Sequence, residues 1–538
     1  MREPYKAAIV LLLILLTLSV GWHIISTQLG GVSPRDVWEW ISEKRKPSPP
    51  PPSPPSPGVK NATPPYSKLT PEVVCFAMPQ IAKDPFTQTY DRLYMEGCGY
   101  ITTPGHPMLP VKTVCFKLNR GYAIHQVTVE VRSVKELSGT YLIMPAPTPT
   151  HLDEENATAA LSEPDPEIYS SSEAYPGEWF TYRLASGLDP DTMARVTYVI
   201  VQLYPVQYVP AEGKVYVAEE LKISVGYEGE PETPVHVADL LIITGPQFLN
   251  QSIELARYRN STGIRTLVLT TDWIYANYEG VDEQERIRNC IKDFVERLGI
   301  NYVLLFGDHE VVPARLAYIP DGAYDGTDID GVEVETDLYY ADLQYSWDDN
   351  GDGKWGDLRR DRIDGIPDIF VGRLPASTPE EAETLVDKII GYETTTSIDL
   401  DWFRTITLAG TDPFGPEGAE GEIIKDYVEQ NFVWPDFNVV KLYETQGTLC
   451  KETVKEKIDA GCGIFNHVGH GDITVWKLPG KWRYYTVSDA KSQTNGYKLP
   501  VITTLSCLTA RFSDADCLAE AFVLNPNGGA IAYLGSTR

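Results

Sequence analysis

From residue 236 onward, short apolar runs alternate with amphipathic stretches, and no other feature constrains the fold as much. DLLIIT (239–244) precedes QSIELARYRN, RTLVLTT (265–271) precedes DEQERIRNCIKDFVERLG, and NYVLLFGD (301–308) leads through an insertion to PDIFVGRL (367–374) and TPEEAETLVDKIIGYE (378–393). A second series follows: TITLAG (405–410), GEIIKDYVEQNF, NVVKLYE (438–444), KETVKEKIDAG, GIFNHVGHG, PVITTLSC (500–507), DCLAEAFVL and AIAYLG (530–535). Strand–helix alternation of this kind predicts mainly parallel α/β sheet flanked by helices. It divides into one unit at 236–397 and a second at 398–538. Sheets of this kind carry their sites at the carboxyl ends of the strands. His467 and His470 fall just past one strand, and Cys507 falls at the tip of another.

The preceding region, 71–235, has a different rhythm. VKTVCFKL (111–118), HQVTVEVRSV (125–134), RVTYVIVQLYPVQY (195–208) and ELKISVGYE (220–228) are rich in β-branched and aromatic residues, and Pro and Gly punctuate them. This predicts an all-β domain, a sandwich or a barrel. Before it, 29–70 includes KPSPPPPSPPSPG (46–58), a polyproline II spacer. At the start, 1–28 holds an uncharged run from Ala7 to Ile25 behind Arg2 and Lys6. As a helix it would be about 28 Å long, enough to cross the hydrocarbon core. The basic flank predicts a signal anchor with the rest of the chain extracellular; a cleaved signal peptide and secretion is the alternative. Four Asn-x-Ser/Thr sequons suit an exported chain. A net charge of −29 argues against nucleic acid as a partner. Eight cysteines would permit disulfides outside the cell. Cys75 with Cys98 or Cys115, and Cys450 with Cys462, are the pairs considered; none of the spacings is CxxC, and none reads as a zinc site.

A catalytic thiol needs a base, an oxyanion pocket and access for substrate. Two strand tips in one sheet can bring an imidazole and a thiol into one crevice, although 37 positions separate His470 from Cys507. The backbone N–H groups of Gly471 and Cys507 are candidate oxyanion donors. For Cys507 the plainer alternative is a small buried hydrophobe at a strand end.

NHVGHG, TTLSC followed by DCLAEAF, and GGAIAYLGST resemble the gingipain-like cysteine peptidases, family C25 of the caspase-like clan. The resemblance runs from about His236 to Arg538 and includes Asp337-Leu-Tyr-Tyr-Ala-Asp and GDHEVVPAR. Residues 71–235 are similar to that family's amino-terminal propeptide. The resemblance implies a caspase-like catalytic domain of two subdomains, with Cys507 as nucleophile and His470 as catalytic histidine. His467 becomes a neighbour serving packing or substrate contact, and Cys517 a structural residue. Asp412 is where an acidic partner of the histidine is expected; it could equally cap a loop. Glu422 matches the acidic residue at the base of S1 in members that cleave after Arg or Lys; the alternative is an exposed glutamate in a helix's first turn. The implied substrates are proteins or peptides, attacked by the thiolate while His470 protonates the leaving amine. No motif chooses between water and an amine as acyl acceptor, so sortase-like processing stays open, as does a non-catalytic surface protein on the same scaffold.

The insertion contains DDNGDGKWGD (348–357). Asp348, Asn350 and Asp352 alternate ahead of Gly353, as in the first half of an EF-hand loop, but position twelve is Arg359. Asp357 or Asp361 could complete the set, with the Lys354 carbonyl, around a structural Ca²⁺; an acidic turn without metal is the alternative. The propeptide-like domain is expected to cover the cleft of a zymogen. No Lys or Arg lies between Lys222 and Arg257, so a protease specific for basic residues has no site at the domain junction. Peptidases of this type usually continue past the last apparent strand, so further catalytic-domain elements are expected beyond Arg538.

Overall fold

The computed structural model describes residues 67–84, 87–147, 163–232, 235–321, 329–395, 401–411, 419–480, 483–513 and 516–538. The expected signal anchor (1–28), nearly all of the Pro-rich linker (29–70) and Asp412 lie outside the described residues. Among the described residues no helix is long and apolar enough to cross a membrane.

Among the described residues, the first region is built mainly from two antiparallel sheets, with a two-stranded one of Gln80–Lys83 and Asp91–Tyr94 beside them. The long strand Lys214–Gly229 pairs with Ser67–Lys68, Glu72–Cys75, Tyr122–Glu136 and Val206–Val209. A second sheet sets Pro110–Asn119 and Phe180–Leu188 on either side of Arg195–Leu203. Alternate residues of each sheet point inward, as the period of two requires. Val199, Val201 and Leu203 of one thereby pack on Leu221, Ile223 and Val225 of the other. The outcome is a sandwich, one of the two all-β forms expected.

Two parallel sheets follow. In the first, β1 (Leu240–Thr244), β2 (Thr266–Thr270), β3 (Tyr302–Phe306) and β4 (Phe370–Leu374) lie in the order β2-β1-β3-β4. Leu241 and Ile243 of β1 face the core under α2 (Glu283–Leu298), whereas Leu240 and Ile242 face α1 (Leu249–Ser261) and α3 (Pro379–Thr394). Both faces are covered, which is why these strands carry unbroken apolar runs. α2 starts at the Asp282 side chain, which accepts from the Glu285 N–H, and ends on Gly299 at φ 70°. A Cβ on Gly299 would stand 1.5 Å from the Val235 carbonyl, so only glycine fits this junction.

The second sheet holds β5 (Thr405–Gly410), β6 (Asn438–Tyr443), β7 (Ile464–Val468), β8 (Val501–Leu505) and β9 (Ala532–Leu534), in the order β6-β5-β7-β8-β9, all parallel. α4 (Glu420–Phe432) lies on one face, while α5 (Lys451–Ala460) and α6 (Leu518–Val523) lie on the other. The two sheets repeat one winding pattern, and their tips match in detail. Gly307 after β3 donates its N–H to the Leu374 carbonyl at 2.9 Å; Gly469 after β7 donates to the Leu505 carbonyl at 3.1 Å. The units are joined by Lys388 of α3, whose ammonium donates to the carbonyls of Phe522, Val523 and Gly528. Arg373 of β4 lies 5.0 Å over the Phe512 ring. Arg373 also makes a two-pronged pair with Asp337 and donates to three carbonyls of the GDHEVV segment. Those two resemblance motifs are therefore one buried knot.

The sandwich is fastened to this body by contacts at one end of the first parallel sheet. Arg195 donates to the Ile300 carbonyl, Asn301 to Met193, Arg183 to the Asp364 carbonyl, and Ser186 to both Asp364 and Asp368. Residues 300–301 and 364–368 immediately precede β3 and β4, so these contacts hold the amino ends of the strands. The candidate site residues His470 and Cys507 lie at the carboxyl ends of β7 and β8; residues 148–162 of the sandwich region lie outside the described residues.

None of the eight cysteines forms a disulfide. The proposed Cys450–Cys462 pair fails because α5 runs between them. Ten helical residues span about 15 Å, far beyond the reach of a disulfide. Cys75 and Cys115 are exposed, on strands of different sheets, and Cys98 is unpaired as well.

Candidate active site

Parallel pairing of β7 with β8 runs from Ile464↔Val501 to Val468↔Leu505, a constant offset of 37 (501 − 464 and 505 − 468). His470 and Cys507 differ by the same 37. Each lies two residues beyond its paired strand, at the carboxyl edge. The tips are tied together: the Gly469 N–H donates to Leu505, and the Ser506 hydroxyl returns a bond to the Gly469 carbonyl at 3.1 Å. Gly471 lies so close that a Cβ there would come within 2.9 Å of the Cys507 carbonyl oxygen. Glycine is required by this approach.

Both candidate residues are half-buried, reachable yet partly shielded. After Cys507 the backbone turns through Leu508 at φ 62°, a left-handed conformation that a leucine adopts only under strain. The turn takes the chain abruptly off the strand and leaves Cys507 at the corner. After His470 the chain enters a small antiparallel sheet, with Gly471 opposite Trp476 and the Lys477 N–H on the His470 carbonyl at 2.9 Å. Bonded and non-bonded pairs alternate in such a ladder, so the Gly471 N–H is directed away from its partner strand.

His467 is a different case. Its Nδ1 lies 2.8 Å from the Thr504 hydroxyl, and its ring stacks on Trp476 at 4.7 Å between centroids. Burial, with the Lys425 charge added, lowers its pKa to about 3, so the imidazole is neutral at physiological pH. It is a core histidine. Cys517 is buried too, at the start of α6, where its N–H donates to Glu520 at 2.8 Å and burial pushes its thiol pKa up.

Glu422 sits in the first turn of α4 and is 7% exposed, not the open helix-end glutamate of the plainer alternative. A Cβ on Gly410, at the end of β5, would come within 3.0 Å of the Glu422 N, which places this turn at the same edge of the sheet. Both carboxylate oxygens are held by Thr445. Sequence reasoning missed Lys425, one turn further along. Its ammonium is buried 2.5 Å from the Asn466 amide oxygen, and burial lowers its pKa to about 7. The signal was present, since i and i+3 of α4 share a face, but a lone lysine in EIIKDYV reads as solvated.

The acidic loop folds on itself. Asp348 accepts the N–H groups of Asp352 and Gly353, Asn350 accepts that of Asp352, and Asp352 accepts that of Lys354. Asp357 is buried and accepts from the Arg359 N–H. Among the described residues, no group of three or more His, Cys, Asp or Glu has the arrangement of a metal site.

The model of Peptidase family C25 matches residues 233–538, and that of the C25 propeptide matches 68–250. The chain belongs to peptidase family C25. Gingipain R2 of Porphyromonas gingivalis is 21% identical over 487 residues, which is 81% of this chain and 59% of the relative. An uncharacterized protein of Archaeoglobus fulgidus is 25% identical over 344 residues, 55% of this chain and 75% of the relative. The complex of Porphyromonas gingivalis RgpB pro- and mature domains matches with a TM-score of 0.43 at 20% identity, over 56% of this chain and 64% of that one. The chain spans only part of the gingipains it matches, 59% of one and 44% of another. Within this C25 chain the propeptide match covers the sandwich and runs on through β1, and the peptidase match covers both parallel sheets.

Proposed function

We propose that the chain is a cysteine endopeptidase made as a zymogen, with Cys507 as nucleophile and His470 as its acid–base partner. The observation that supports this reading is the register of β7 and β8, whose offset of 37 also separates His470 from Cys507. The thiolate attacks the peptide carbonyl, and the N–H groups of Gly471 and Cys507 receive the oxyanion. His470 then protonates the departing amine, and water hydrolyses the thioester. Asp412 is proposed as the residue that orients His470, and Glu422 as the carboxylate that receives an Arg or Lys side chain at P1. The test is labelling with a peptidyl electrophile bearing Arg at P1, followed by mapping of the modified peptide. Labelling of Cys507 that is lost in His470→Ala supports the assignment; an unlabelled Cys507, once the sandwich has been removed, refutes it.

The acidic loop is proposed to hold a structural Ca²⁺ through Asp348, Asn350, Asp352, the Lys354 carbonyl and Asp357 or Asp361. Burial raises the pKa of Asp361, and the charges of Asp348 and Asp352 raise it further, so these three carboxylates share one neighbourhood. Asp357 is 1% exposed, and one of its oxygens lacks a hydrogen bond. Hard oxygen donors of this kind suit Ca²⁺. An unfolding midpoint that Ca²⁺ raises, and that Asp348→Asn makes insensitive to Ca²⁺, supports the ion. Equal midpoints with Ca²⁺ and with chelator count against it. Residues 1–28 are proposed to anchor the enzyme with its catalytic part outside the cell; recovery of the full-length chain from the soluble fraction without cleavage would overturn that.

A further inference from the structure

We infer that Ser506 is a positioning residue that fixes where His470 stands relative to Cys507; this rests on the catalytic reading above. Ser506 is covalently next to the candidate nucleophile and only 5% exposed. Its hydroxyl donates to the Gly469 carbonyl at 3.1 Å, on the near side of His470. On the far side, a Cβ built on Gly471 would come within 2.5 Å of the same hydroxyl oxygen. One atom therefore bears on the backbone both before and after His470. Ser506 is itself held, since its own carbonyl accepts from the buried Thr509 hydroxyl at 3.4 Å.

The matching tip of the first sheet shows that this arrangement is not a requirement of the fold. There the carbonyl that corresponds to Gly469 is that of Gly307, and it accepts from Arg373 at 2.9 Å. The residue corresponding to Ser506 is Pro375, which has no hydroxyl. A parallel sheet tip thus closes without a serine where no chemistry takes place. At the candidate site, the carbonyl is bonded by the residue that carries the thiol's own backbone. A shift of the Ser506 side chain would change the thiol–imidazole separation directly, and proton sharing between the two falls steeply with distance.

The experiment compares wild type, Ser506→Ala and Ser506→Thr in the mature enzyme. Three quantities are read: kcat and KM on an Arg-P1 peptide, the pH dependence of Cys507 alkylation by iodoacetamide mapped to its own peptide, and the thermal midpoint. The expected result for Ser506→Ala is a kcat reduced about tenfold or more with KM little changed. The acidic limb of its alkylation profile should move to higher pH. Ser506→Thr, which keeps the hydroxyl, should recover most of both. An alkylation profile and kcat identical to wild type in Ser506→Ala would overturn the inference, as would losses that merely follow a lowered midpoint. If wild-type Cys507 itself alkylates no faster than a denatured thiol, the catalytic reading fails instead, and the two failures are thereby separated.

Discussion

Thr445 occupies both oxygens of Glu422: its N–H donates to one at 2.8 Å and its hydroxyl to the other at 2.7 Å. Each carboxylate oxygen has a second lone pair, so the pair fixes the carboxylate and leaves acceptor capacity for a guanidinium. Glu422→Gln should lower kcat/KM for an Arg-P1 peptide by about 100-fold or more. Alkylation of Cys507 by iodoacetamide should stay unchanged. A peptide-library profile checks this; a basic preference that survives the substitution would remove Glu422 from S1.

Gly471 has no room for a methyl group against Ser506, Thr509 and Cys507. Gly471→Ala should displace the proposed oxyanion donor and lower kcat by about 100-fold, in the range seen when one such donor is lost. Circular dichroism of the variant should match wild type. Turnover at the wild-type rate would place the oxyanion elsewhere.

Asp364 meets Ser186 where the sandwich docks. Burial, aided by Asp342 and Asp368, raises its pKa to about 6, while Arg183 and Arg195 approach from the sandwich side. In the unfolded chain the carboxyl has its ordinary value, so folding takes up a proton at Asp364. Its contribution to stability is largest in acid and is lost as pH rises through about 6. Asp364→Asn should therefore flatten the fall in stability between about pH 5 and about pH 7.5, a change of about tenfold in the unfolding constant. Urea unfolding followed across that pH range provides the measurement.

Denatured without reductant, the chain should take up alkylating agent at all eight cysteines, because none is bridged. Cys290, Cys462 and Cys517 are buried, and burial pushes their thiol pKa values up; for Cys462 the value is about 12. These three should react only after unfolding. Intact mass before and after denaturation gives the count, and a bridged pair would appear as two missing adducts.

The parallel sheets were legible because residues such as Leu240 to Ile243 are apolar on both faces, a pattern that only doubly covered strands produce. The shared offset of His470 and Cys507 was legible for a related reason, since β7 and β8 each end in a polar residue at the same distance past the apolar run. Partners from other elements were not legible. Thr445 reaches Glu422 across 23 positions and Lys425 reaches Asn466 across 41, and no local periodicity encodes such pairings. Neither the docking edge of the sandwich nor the internal bonding of the acidic loop is encoded locally either. Ser186 meets Asp364 across 178 positions, and the loop's carboxylates bind its own amides by turns that depend on backbone conformation.

The first sheet presents Asp308 and Ala376 at its tip, their backbones joined at 3.0 Å, in the places that His470 and Cys507 take in the second. One parallel sheet thus repeats the scaffold of the other, equally well knit, with Asp308 and Ala376 in place of the proposed reactive pair. Replacing His470 and Cys507, the proposed reactive pair, should therefore leave the fold intact.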